Sequence, residues 1–267
     1  MVQGHAKKDR KRGKMLRRLG NKKKLAPKIQ TYFPPHNAYI ELFFGAGGMF
    51  FNKPRARHNF VNDIDNDVYN LFMVLKESPD ELYEKVQTTP YHESMFKHWV
   101  KETDIDPIWQ AVRFLYLSNF SFLGAGSSLL FNSQHSKKVL LKDIKIYFEK
   151  VQDVKFLNCD FRKVLSKIAF RLNRPTEIPF IYADPPYLST GDNYSDSFTK
   201  ADSIGLFDVL CNSGIKFAMS EFKNEVIMEE SLKRGLNVIE IGERQTMKNR
   251  NIEILVTNYE LNQGVLF

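Results

Sequence analysis

Phe180-Ile181-Tyr182-Ala183-Asp184-Pro185-Pro186-Tyr187 reads as a short buried strand that stops at an acid, two prolines and an aromatic. Neither proline carries an N–H, and Pro186 biases Pro185 away from the helical region, so the turn after the strand is stiff. Such a turn sets backbone carbonyls beside a carboxylate and a flat ring. It can accept two hydrogen bonds from an amino group while the ring stacks on a planar heterocycle, which suits a nucleobase taken out of its stack. The plainer reading is a strand end with a rigid turn.

The flanking sequence repeats the pattern of strand followed by helix. Upstream, the strand Ala38 to Phe44 runs into Gly45-Ala46-Gly47-Gly48, where backbone can approach a ligand closely. The next strand, Phe60 to Asn62, ends at Asp63, an acceptor for ribose hydroxyls; Asp65 and Asp67 behind it suit the start of a helix. Val154 to Asn158 reads as a third strand, followed by Asp160 and Phe161. These two either cap and open a helix or bracket an adenine ring. Downstream, Leu188 to Lys200 is a polar loop of the kind that closes over a site, and Ile215 to Met219 is a strand ending in Ser220-Glu221. Leu236 to Ile241 and Ile252 to Thr257 form a terminal pair of strands, with an exposed basic link from Arg244 to Asn251.

Residues 78–150 interrupt the alternation. Helices are expected at Ser78-Pro79-Asp80, Tyr91 to Val100 and Pro107 to Leu117, then a turn from Asn119 to Gly126 and a short strand at Val139-Leu140-Leu141. This is too long for an ordinary connection and reads as a mostly helical insertion with an aromatic-bearing loop. A Phe in that loop either packs in the core or wedges into a base stack.

Composition sets the class. With 267 residues, 43% hydrophobic residues and 22 Phe, the chain buries a sizeable core. Two cysteines, Cys159 and Cys211, make neither a disulfide framework nor a metal motif, which points to a reducing cytoplasm. Phe114 to Ser136 lacks charge but is broken by Ser and Asn, so a buried helix and loop are expected there and not a membrane span. The net charge is +8, and residues 1–24 carry eleven basic residues opposed by Asp9 alone. That segment, with Arg17 and Arg18 near its end, reads as an arm that attracts a phosphate backbone, or as a solvated tail.

In order along the chain, Gly20-Asn21-Lys22, Phe43-Phe44-Gly45-Ala46-Gly47, Asp63 and Asp184-Pro185-Pro186-Tyr187 resemble the landmarks of the adenine-N6 DNA methyltransferases of the Dam type. The resemblance covers nearly everything after the basic arm. It implies an α/β fold: a Rossmann-like, mostly parallel sheet with an antiparallel terminal strand and a helical target-recognition insertion. The expected division is an arm (1–24), a catalytic domain (25–76 with 151–267) and an insertion (77–150). It also implies S-adenosylmethionine as methyl donor, duplex DNA as partner, and a possible cognate restriction enzyme. Lys22, Phe43, Gly45, Gly47, Asp63, Asp160, Phe161 and Asp184 are the expected cofactor contacts. Asp184, Pro185, Pro186 and Tyr187 are the expected catalytic group, and Arg17, Arg18, Asn119, Phe120 and Phe122 the expected DNA contacts. The sequence departs from the family at Arg18-Leu19, where Trp-Ala is usual, and at Asn119-Phe120 and Phe122, where an Arg-Tyr pair and a second Tyr are common, so the family's target sequence does not carry over.

Under this resemblance Asp184 and the Pro185 carbonyl accept the two N6–H groups of a flipped adenine, and Tyr187 stacks on the ring. No metal or nucleophilic side chain is required. Two alternatives stand beside it: a methyltransferase acting on RNA adenine or on cytosine N4, and an inactive nucleic-acid-binding module.

Overall fold

The computed structural model describes residues 15–16, 22–90, 92–102, 106–121, 137–169, 177–188, 198–245 and 250–260. It divides into two units, one of residues 19–69 with 153–267 and one of 70–152 with residues 15 and 16.

The first unit is built on seven strands: β1 (Ala38–Glu41), β2 (His58–Asn62), β3 (Val154–Leu157), β4 (Pro179–Ala183), β5 (Lys216–Phe222), β6 (Asn237–Gln245) and β7 (Arg250–Thr257). They lie in the order β3-β2-β1-β4-β5-β7-β6. The first five pair in parallel, and β7 runs antiparallel to both β5 and β6. The chain winds outward from β1 through β2 to β3, then returns to the middle to place β4 beside β1 before moving the other way. Ligands of open α/β sheets bind beyond the carboxyl ends of strands at such a reversal. The glycine turn leaves β1 there, and Asp184 leaves β4.

The central strands have two buried faces, as a parallel sheet requires. Side chains alternate with period two, so Ile40, Ile181 and Ala183 join Phe217, Met219, Ile254 and Val256 in one apolar cluster. Leu206, Phe207 and Leu210 of α7 (Lys200–Asn212) and Ile227 of α8 (Glu225–Lys233) complete it. Tyr39, Phe180 and Tyr182 belong to the alternate set. Their rings pack with Phe33 and His36, which follow α1 (Ala26–Gln30).

Helix α2 (Asn66–Glu77) carries the chain into the second unit, which contains α3 (Pro79–Thr88), α4 (Glu93–Lys101), α5 (Pro107–Phe120) and α6 (Lys137–Val151). Tyr116 of α5 ties the unit together: its hydroxyl donates to the Thr89 carbonyl at 2.8 Å, and its ring meets Trp99 and Phe120 edge-on. Among the described residues no helix is long and apolar enough to cross a membrane.

Several local expectations are corrected. Val139-Leu140-Leu141 is part of α6 and not a strand; Leu140, Ile144 and Val151 are buried at helical spacing, and a three-residue apolar run cannot announce its period. Asn119 and Phe120 finish α5 instead of opening a turn. The segment after Asp160 makes two 3-10 turns, Phe161–Lys163 and Leu165–Lys167, in place of one helix. Strand β5 runs through Ser220 and Glu221 to Phe222, and β6 and β7 extend into the expected link, of which 246–249 lie outside the described residues. In the arm, Met15, Leu16 and Lys22 are buried and so are packed, not solvated. Arg17, Arg18, Phe122 and most of the loop after Leu188 lie outside the described residues.

Candidate active site

The ends of β1, β2 and β3 are stapled by one side chain. Asn62 Nδ2 donates to the carbonyls of Leu42 and Cys159, both at 3.0 Å, and its Oδ1 accepts from Cys159 N–H. Asn158 in turn donates to the Asp63 carbonyl at 2.9 Å. The sheet edge above which a ligand sits is thereby held in register. An inward amide at the last position of a strand is the signal that marks Asn62 in the sequence.

On this edge the glycine turn takes left-handed backbone at Gly45 (φ 52°) and Gly47 (φ 66°). A Cβ at Gly47 would lie 2.3 Å from the Phe51 ring, so the turn's own packing requires glycine there. A Cβ at Gly45 would meet nothing within 4 Å: that face is open. Gly45 N–H donates to Asp63 Oδ2 at 2.6 Å, and Asp65 N–H donates to Oδ1 at 2.9 Å. Asp63 is therefore oriented by two backbone donors at the carboxyl edge of the sheet. Open space over Gly45 beside an oriented acid fits the ribose of an adenosyl group.

Phe43 is half-buried and stacks near Phe161 (5.5 Å) and Phe198 (5.9 Å). Phe161 is itself buried, an aromatic edge to this cradle and not an exposed plate. Asp160 is the cap: its Oδ1 accepts from Arg162 N–H at 2.8 Å, and its Oδ2 pairs with the Arg162 guanidinium, which also reaches Asp202.

Beyond β4 the second cluster forms. Lys22 comes from a 3-10 turn (Lys22–Lys24), and its Nζ lies 2.7 Å from Asp184 Oδ1, 3.4 Å from Glu253 Oε1 and 4.4 Å from the Tyr187 ring centroid. Tyr187 donates its hydroxyl to Glu253 Oε1 at 2.6 Å and packs edge-on against Phe222 at 4.5 Å. Glu221 accepts the N–H of Leu188, which secures the chain just past the Pro-Pro-Tyr turn. The Asp184 side chain keeps 19% of its surface accessible, in contrast with the fully enclosed Glu253. Asp184 is thus an oriented acceptor facing outward, with a ring at its side and a cation behind it. Such a site can hold an amino group on a planar heterocycle. Glu253 escapes sequence reading because it sits inside an apolar strand run, and Glu221 reads only as a strand end although β5 runs on through it. An acid within such a run is the only available signal.

Burial raises the Glu221 carboxyl to about 8, offset in part by hydrogen bonds from the Phe222 and Leu188 N–H groups. Glu41 on β1 is also raised by burial to about 8, against the hydrogen bond that it accepts from the Tyr39 hydroxyl at 2.8 Å. Burial lowers the Lys53 ammonium to about 8, and its Nζ sits 4.1 Å from the Tyr39 ring centroid. A raised acid means that the folded chain keeps a proton which the unfolded chain releases above the ordinary value of 4.5. Stability is then lost as pH climbs from about 4.5 to about 8. The Glu41→Gln variant lacks this share of the loss. Its melting temperature should gain on that of the wild type by roughly 5–10 °C between pH 5 and pH 8. An offset that stays constant across that range would mean that Glu41 is not held protonated.

Of the expected DNA contacts, Asn119 and Phe120 are buried. Asn119 Nδ2 donates to the carbonyls of Met15 and Leu115, at 2.8 and 2.9 Å, and Phe120 packs on Tyr116. Both are spent inside the helical unit, because the helix continues past the position at which a loop was expected.

Against known proteins, the family model described as D12 class N6 adenine-specific DNA methyltransferase matches residues 19–247. The type II methyltransferase M1.LlaDCHI of Lactococcus lactis subsp. cremoris is 25% identical over 90% of this chain and 93% of its own length. The DNA adenine methylase of Vibrio cholerae (O395) is 26% identical over 75% of this chain and 76% of its own length. That of Escherichia coli (K12) is 27% identical over 73% and 74% respectively.

Proposed function

This chain belongs to the D12 class of N6 adenine-specific DNA methyltransferases, and we propose that it moves a methyl group from S-adenosylmethionine to the N6 amine of an adenine flipped out of duplex DNA. The observation that carries the proposal is the meeting, at the reversal of strand order, of the open Gly45–Asp63 cradle with Asp184 and Tyr187. Asp63 and the backbone around Gly45 would hold the ribose, with Phe43 and Phe161 at the edge of the cradle. Bound there, the cofactor supplies an electrophilic methyl on a sulfonium.

The chain's own residues do the rest. An adenine amine is a weak nucleophile because its lone pair is delocalised into the ring. Asp184 accepts one N6–H and the Pro185 carbonyl the other, which favours pyramidal nitrogen and opposes the positive charge that develops there. Tyr187 stacks on the base and supplies orientation. Pro186 stiffens the turn that aims all three. Lys22 is paired with Asp184, which assigns it to the carboxylate in this reading and not to a direct cofactor contact. The extra proton leaves the nitrogen after transfer, so Asp184 need not act as a strong base. The helical unit would read the target sequence, and a restriction partner would fit the company of a type II relative.

The basic residues ahead of Met15 would bind phosphates without reading sequence. Met15 and Leu16 are buried, so a truncation must stop short of them. Deleting residues 2–12 removes Lys7, Lys8, Arg10, Lys11 and Arg12. The slope of log affinity for duplex DNA against log salt should flatten by up to ~4.5, at about 0.9 for each phosphate that is no longer neutralised. S-adenosylmethionine binding, measured by titration calorimetry, should stay unchanged. An unaltered salt slope would reduce this segment to a solvated tail; failure of the full chain to bind S-adenosylmethionine would overturn the assignment of the cradle.

A further inference from the structure

We propose that Glu253 is a positioning residue for methyl transfer: its Oε1 anchors the Tyr187 hydroxyl and shares Lys22 with Asp184, so that ring and carboxylate are held as one unit. The inference rests on the roles given above to Asp184 and Tyr187.

Glu253 lies in β7, next to β5 in the sheet, with no exposed surface. A carboxylate so placed is costly unless it is paired. Its partners are the functional groups themselves. Oε1 accepts the Tyr187 hydroxyl at 2.6 Å and stands 3.4 Å from Lys22 Nζ, while the Arg244 guanidinium approaches Oε2 at 3.7 Å. Lys22 completes the loop through its 2.7 Å contact with Asp184. A tyrosine ring has two torsions, and two fixed points define it. Here they are the Phe222 ring at its side and Glu253 at its far end. A base stacking on Tyr187 would thus meet a surface already oriented, which lowers the entropy left to lose on the way to transfer.

Among the described residues, the titratable and charged groups that act on Glu253 are Lys22, Tyr187, Tyr182 of β4, Glu221 of β5 and Arg244 of β6, with Asp184 on the other side of Lys22. Burial raises both tyrosine hydroxyls well above their ordinary value and Glu221 to about 8. At neutral pH these three stay protonated, which leaves Lys22 between Asp184 and Glu253.

The test compares Glu253→Gln, Tyr187→Phe and the double variant in single-turnover methylation of duplex DNA, with folding checked by thermal melting. Glu253→Gln keeps the size and a carbonyl acceptor but removes the charge; Tyr187→Phe keeps the ring but removes the anchor. Each single variant should transfer roughly tenfold more slowly, with S-adenosylmethionine and DNA affinities within about twofold of wild type. If Glu253 acts through Tyr187, the double variant should be no more than about twofold slower than the slower single one. In Glu253→Gln the loss should fall on kcat with KM nearly unchanged, the split expected of a group that orients the ring for transfer. A merely structural residue would lower the melting temperature and leave the transfer rate of the folded protein in place.

A wild-type rate in Glu253→Gln, or effects that multiply in the double variant, would overturn the inference while leaving the methyltransferase reading intact. Should Glu253→Gln fail to fold, a wild-type rate in Tyr187→Phe overturns it alone. An inactive wild-type protein would bring down the underlying reading as well.

Discussion

The Asp184→Ala variant should lose methyl transfer by about 100- to 1,000-fold or more while remaining folded and able to bind duplex DNA and S-adenosylmethionine. Asp184 is the accessible acid at the carboxyl end of the middle strand, and the carboxylates nearest it cannot take its place. Glu253 has no exposed surface, and Glu221 is committed to the N–H groups of Leu188 and Phe222. Removing Asp184 takes away the oriented acceptor that opposes charge on the reacting nitrogen, and water replaces it poorly because it must reorganise. The fold survives because Lys22 retains Glu253 as a second partner at 3.4 Å, so its ammonium is not stranded. A single-turnover rate within a few-fold of wild type would end this assignment. Loss of the cooperative melt would instead show that the Lys22–Asp184 pair is structural first.

The second large effect separates two glycines that look alike in the sequence. At Gly47 an added Cβ falls 2.3 and 2.4 Å from Phe51 ring carbons and 2.8 Å from the Phe44 ring. Those rings cannot step aside, since Phe44 and Phe51 are buried and pack on each other and on Phe50. With φ at 66° added to the clash, Gly47→Ala should cost about 2–4 kcal/mol, or roughly 5–10 °C in melting temperature. At Gly45 the same methyl meets no atom and pays only the left-handed backbone, about 1 kcal/mol. It does project into the open face beside Asp63. Gly45→Ala should therefore melt close to wild type yet bind S-adenosylmethionine at least about tenfold more weakly, as expected where a methyl blocks close approach to backbone. Equal affinity at Gly45→Ala would move the cofactor off this turn, and an unshifted melt at Gly47→Ala would mean that the aromatic cluster yields.

Much of the site was legible beforehand for a physical reason. Glycines at φ above zero, a Pro-Pro turn and an acid at a strand end are residue types demanded by local backbone, so Gly45, Gly47, Asp63 and Asp184 report their placement at the sheet's carboxyl edge from within a few positions. The mostly parallel sheet followed from the family resemblance, and the strand positions from their apolar runs. Groups that work through partners distant in sequence were not legible. Glu253 meets Tyr187 across 66 residues, and an acid inside the apolar run Ile252 to Thr257 does not say which partner it meets. Lys22 is marked only by its likeness to a family element, and neither its burial nor its pairing with Asp184 and Glu253 can be read from the basic run around it. Where helix and loop compete, as at Asn119-Phe120, tertiary packing of Tyr116 against Trp99 and Phe120 decided, and that information is spread over the whole helical unit. The strand expected at Val139 failed because a three-residue apolar run fits either period.

The most direct test offers labelled S-adenosylmethionine to the full chain with unmethylated duplex DNA, single-stranded DNA and RNA in parallel, and identifies the modified base after digestion. The account predicts label in duplex DNA as N6-methyladenine. Label on cytosine N4, label in RNA alone, or no label in any nucleic acid would contradict it.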